Sequence, residues 1–81
     1  MIRESKYLIY ESIMIPKRKT PIIFVKNKTG DELGQIKFYP QWRKFVFFPK
    51  ENTLFDSSCL EDIVFTINIL QKMWYNKEDF E

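Results

Sequence analysis

Leu33-Gly34-Gln35-Ile36-Lys37-Phe38-Tyr39, then Pro40-Gln41-Trp42, then Arg43-Lys44-Phe45-Val46-Phe47-Phe48-Pro49 is the stretch that decides the fold. In its first part Gly34, Ile36 and Phe38 fall on one side of an extended chain, and Leu33, Gln35, Lys37 and Tyr39 on the other. Alternation with period two and a polar member on one side describes a strand with one face on a core and one toward water. Pro40-Gln41-Trp42 turns the chain into a second run rich in aromatic and β-branched residues. Pro49 ends that run because it has no N–H for a ladder bond.

Working back toward the N-terminus, Ile22–Lys26 is another β-branched and aromatic run. Asn27-Lys28-Thr29-Gly30-Asp31 links it to the alternating segment, with Gly30 free to take positive φ, so these two strands pair antiparallel. Pro16 and Pro21 enclose Lys17, Arg18 and Lys19 in a connecting loop. Before it, Tyr7–Ile15 reads as a strand with Tyr7, Ile9, Ile13 and Ile15 on one side and Leu8, Tyr10, Ser12 and Met14 on the other, although a short helix also tolerates that run.

Toward the C-terminus the period changes to that of a helix over 57–75. Ser58 with Glu61 three residues on reads as a capping box, and Asp56 stands near the positive end of the helix dipole. Leu60, Ile63, Val64, Ile67, Leu70 and Trp74 form the stripe expected to lie on the sheet. Phe65, Ile69 and Met73 form a second stripe on nearly the opposite side. Two readings account for it: the N-terminal segment folds over it, or it is the seam of a homodimer, which relieves the small core of a short chain.

The expected architecture is α+β: an antiparallel sheet of three or four strands with one C-terminal helix packed on one face. At 81 residues there is room for one domain. It divides into an N-terminal strand or arm (1–19), antiparallel strands (20–50), the helix (57–75) and a frayed acidic tail (76–81). Hydrophobic residues make up 44%, charged 30% and aromatic 17%, a profile that excludes disorder over most of the chain.

Composition also removes chemistry. There is no histidine and one cysteine, so an intramolecular disulfide, a Cys/His metal site and the Ser/His and Cys/His nucleophile pairs are all excluded. Cys59, in the first helical turn, is the residual nucleophile candidate, since a helix N-terminus lowers a thiol pKa. Asp31 and Glu32 belong to a turn, and Glu61 and Asp62 to the helix start. Gly30 and Gly34 begin no phosphate-binding loop. The sequence therefore predicts a protein that is not an enzyme and carries no cofactor or metal. No run approaches a membrane span of roughly 20 apolar residues, and charges at Arg3, Glu4, Lys6 and Glu11 break the signal-peptide pattern. The expected setting is the cytoplasm.

Charge is divided along the chain. From Pro16 to Lys50, nine basic residues face Asp31 and Glu32, a net of +7; from Glu51 to Glu81, two lysines face seven acids, a net of −5. A basic sheet with Tyr39, Trp42, Phe45 and Phe47 nearby is the kind of surface that stacks bases and neutralises phosphate. The ligand-binding candidates are Lys37, Tyr39, Trp42, Arg43 and Lys44, and the ligand a nucleic acid or phosphorylated nucleotide. The competing reading is a protein–protein interaction module, a protein-binding inhibitor or a subunit of a larger assembly, in which the Phe65, Ile69 and Met73 stripe or an exposed strand edge docks a partner.

The segment Leu33–Pro49, followed by Asn52-Thr53-Leu54-Phe55 and by Cys59-Leu60, resembles small uncharacterised proteins encoded by bacteriophages and prophages. They share LG-x-I-K-aromatic-Y, then W-R, then an aromatic run ending F-F-P, then a helix opening C-L. Residues 1–19 lie outside that resemblance. It implies a phage origin, a host-cell cytoplasmic setting and a role in host takeover or in blocking defence. It assigns no catalytic residue.

Overall fold

The computed structural model describes residues 2–78 and Phe80, with residues 2–4 as backbone alone. Five antiparallel strands run in sequence order across one sheet: β1 (Ile2–Glu4), β2 (Leu8–Ile13), β3 (Ile22–Asn27), β4 (Glu32–Tyr39) and β5 (Lys44–Pro49), followed by helix α1 (Ser57–Tyr75). The α+β arrangement is the expected one. The sheet holds one strand more than expected, because three N-terminal residues pair with Ile9–Glu11 to form β1.

Cross-strand register separates the two faces. Leu8, Tyr10, Ile23, Val25, Ile36 and Phe45 point to α1 and are buried, joined there by Ile63 and Leu70 of the helix. Gly34 shares that face because nothing larger fits. A Cβ at this position would lie 2.6 Å from the Phe48 carbonyl oxygen and 2.8 Å from the Phe47 ring, which covers the glycine and packs edge-on against Phe55 at 5.3 Å. At the β3–β4 connection Gly30 has φ +93°. The Asn27 side-chain oxygen there accepts from the Thr29 and Asp31 backbone N–H groups, so the loop is held by its own asparagine.

The helix differs from expectation in two respects. Its N-cap is Asp56, not Ser58: the Asp56 carboxylate accepts from the Cys59 N–H at 2.9 Å, the third helical residue, where a cap side chain belongs. Its buried stripe is also rotated. Ile63, Thr66 and Leu70 are buried, with Cys59, Ile67 and Trp74 half-buried, whereas Leu60 and Val64 are 46% and 54% exposed. Thr66 sits in the core because its hydroxyl donates to the Asp62 carbonyl one turn back, and Tyr10, 2% exposed, donates its hydroxyl to the Asp62 carboxylate.

Past α1 the chain closes a left-handed turn. Lys77 has φ +55°, its N–H reaches the Trp74 carbonyl and the Glu78 N–H reaches that of Met73, the Schellman pattern. Phe80, which the sequence reading places in a frayed tail, returns to the core with its ring 5.7 Å from that of Phe45. Burial of an aromatic side chain offsets the entropy of ordering the residues before it.

Edge strand β5 is closed by a side chain. Gln71 of α1 accepts from the Phe45 N–H at 2.8 Å and donates to the Arg43 carbonyl at 3.3 Å, so one amide takes the place of a neighbouring strand. Pro49 contributes no N–H farther along. The opposite face of the sheet, lined by Ile9, Glu11, Phe24, Lys26, Gln35, Lys37, Tyr39, Lys44, Val46 and Phe48, is covered by no element among the described residues.

Candidate functional site

The β4–β5 connection is a four-residue loop, Pro40 to Arg43. The Trp42 N–H reaches the Tyr39 carbonyl at 3.2 Å, the Arg43 N–H reaches that of Pro40 at 3.1 Å, and Arg43 closes the loop with φ +54°. Proline suits the first turn position through its fixed φ. The loop lifts Trp42 to the end of the open face, where it is 65% exposed, with its ring 5.0 Å from Tyr39 at an interplanar angle of 76°.

From that pair the aromatic surface continues down the sheet. Tyr39 also meets Phe48 edge-on at 6.5 Å, and Lys37 holds its ammonium 4.8 Å from the Phe48 ring centre. Tyr39, Trp42, Val46 and Phe48 line one shallow depression of about 250 Å³. Lys44 is the register partner of Tyr39 and so stands on the same face. Chemically this is an open aromatic cleft with the Lys37 ammonium over one of its rings and Lys44 on the same face, a surface on which a flat ring can stack beside an anionic group.

Four of the five ligand candidates, Lys37, Tyr39, Trp42 and Lys44, therefore share one face. Arg43 does not join them. Its guanidinium lies 5.5 Å from the Trp74 ring centre on α1, and Trp74 in turn stacks 5.1 Å from Phe38. A loop residue with positive φ leaves the strand alternation, and the helix supplies the aromatic face that the guanidinium covers. Phe45 and Phe47, expected near the platform, belong to the core side. Val46 and Phe48 take their places. Lys44, Val46 and Phe48 fall at alternate positions of β5, a parity the unbroken apolar run conceals.

The second group behaves differently. Phe65 and Ile69 are 56% and 41% exposed, but Met73 is half-buried, and Ile69 and Met73 border an apolar crevice with Tyr10, Ile23, Leu70 and Phe80. The stripe thus runs from the exposed side of α1 at Phe65 to the margin of its buried side at Met73. Cys59 also departs from expectation. Burial pushes its thiol pKa up, and the adjacent Asp56 carboxylate adds to the shift by hydrogen bonding and by charge, which outweighs the position in the first turn. The Asp56 carboxyl is held below its ordinary value by the hydrogen bond from the Cys59 backbone. No helix among the described residues is long and apolar enough to cross a membrane.

Over 72 residues, 88% of this chain and 92% of the other, the sequence is 33% identical to an uncharacterized 9.3 kDa protein of Acholeplasma phage L2. That bears out the phage kinship implied by the resemblance, and it reaches farther. Residues 20–81 are 62 of 81, less than the share matched, so the similarity extends into segment 1–19. No protein-family description matches the chain, and no solved structure does.

Proposed function

We propose, for a chain that belongs to the family of the uncharacterized 9.3 kDa protein of Acholeplasma phage L2, a non-enzymatic role: binding a nucleic acid or phosphorylated nucleotide on the open face of its sheet. The observation that carries this reading is the exposed cluster of Tyr39, Trp42 and Phe48 on an uncovered face with Lys37 and Lys44 beside it. An exposed indole held against a phenol offers a stacking surface that any base fits, and lysines at the margin of the cleft meet the phosphate. The protein would act in the host cytoplasm by sequestration or occlusion, a function that needs a surface and no reacting group.

Amide NMR of the full chain, titrated with ATP and with a short oligothymidylate, tests this. Shifts that with ATP centre on residues 37–48, and that are lost in the pair Lys37→Glu and Lys44→Glu, are the expected result. Unchanged spectra with both probes would sink the reading. The second reading, a protein partner on α1, is favoured by the exposure of Phe65 and Ile69. It predicts that Phe65→Ser with Ile69→Ser abolishes capture of a protein partner, which Lys37→Glu with Lys44→Glu leaves intact.

A further inference from the structure

The aromatic surface does not stop at β5. Register sets Phe24 of β3 opposite Gln35 of β4, and Gln35 opposite Phe48 of β5, so these three form one row across the open face. With strands about 4.8 Å apart, the two phenylalanines stand about 10 Å apart with an amide between them. Lys37 lies one position along the same side of β4, with Val46 opposite it. The row ends on β2 at Glu11, the register partner of Phe24, whose carboxylate is paired with Lys26 at 3.4 Å, which among the described residues leaves the unpaired positive charge of this face at Lys37 and Lys44.

Resting on the reading above, we propose that the ligand is a single-stranded nucleic acid, held as at least two consecutive unpaired nucleotides. One base occupies the Tyr39–Trp42–Phe48 cleft and the next lies on Phe24. Gln35 between them hydrogen-bonds base edges, and the linking phosphate sits at Lys37. The spacing decides against a duplex. Successive bases of a duplex strand rise about 3.4 Å and hide their faces in the stack, whereas aromatic groups about 10 Å apart demand bases that are splayed and unpaired. A mononucleotide leaves Phe24 and Gln35 without a partner base.

Fluorescence anisotropy of the full chain with thymidine monophosphate, a dithymidylate, a longer oligothymidylate and a duplex of matched length, each labelled, tests the assignment. The expected gain from monophosphate to dithymidylate is about tenfold or more, the scale of one added stack. Phe24→Leu removes that gain, read as the ratio of dithymidylate to monophosphate affinity. Gln35→Ala, on the same row but outside the core, lowers oligonucleotide affinity if Phe24→Leu fails to fold. Equal affinity for duplex, or no gain with length while the monophosphate binds, would overturn the single-strand assignment and leave the cleft standing. No binding of any probe would overturn the cleft itself.

Discussion

Gly34 shows how tightly one residue is bound to its surroundings. Its position is occupied on the helix side by the Phe47 ring and along the ladder by the Phe48 carbonyl, both within 2.8 Å of where a Cβ would stand. Gly34→Ala is therefore expected to cost about 1–3 kcal/mol through overpacking, a fall in Tm of about 4–8 °C per kcal/mol for a domain of this size. Thermal unfolding followed by circular dichroism checks it; an unchanged Tm would mean that Phe47 swings aside freely. Gly30 is needed for another reason, its positive φ, and the space around it is open. The Gly30 requirement is legible in the sequence, because turn residues announce positive φ. That of Gly34 is not, because the ring that fills its space comes from β5 and depends on a pairing only the folded sheet supplies.

At the scale of elements, β4 is the most readable segment and α1 the least. Alternation in Leu33–Tyr39 assigns each side chain to a face because the period of a strand follows from its backbone. Phe45-Val46-Phe47-Phe48 contains no polar member to mark the parity, so the outward place of Phe48 emerges only from the register with Gln35. In α1, apolar residues at 60, 63, 64, 65, 67, 69 and 70 surround much of the helix, and the wheel alone admits several orientations. What sets the orientation is polar. Thr66 enters the core with its hydroxyl satisfied, and Gln71 reaches the β5 edge. Gln71→Ala leaves the N–H of buried Phe45 without its acceptor, with an expected loss of about 1–3 kcal/mol. It also opens a strand edge to a second chain. Urea unfolding reads the first effect, and sedimentation velocity over a range of concentration reads the second as self-association beyond that of the unaltered protein. A variant of undiminished stability would show that the amide clamp is incidental.

Over the whole molecule, the division of charge seen in the sequence acquires a geometry. Lys37 and Lys44 bring positive charge to the aromatic end of the open face, while Arg43 turns away to Trp74 and Lys26 is held by Glu11. The +7 of the central segment therefore overstates what a ligand in the cleft meets, which is two ammonium groups. That count makes a quantitative expectation. A single strand that loses two phosphate counterions should bind with a slope of log K against log salt of about −1.4, at about −0.7 per phosphate contact. Lys37→Gln should halve the slope, and Lys44→Gln should do the same. Lys72→Gln, on the outer side of α1, should leave it unchanged. Anisotropy titrations with an oligothymidylate across a salt series measure all four. A slope much steeper than −1.4 would bring further lysines into contact, Lys50 and Lys26 first by position. A slope near zero would mean that the aromatic rings bind without help from charge, and phosphate would then be no part of what this face recognises.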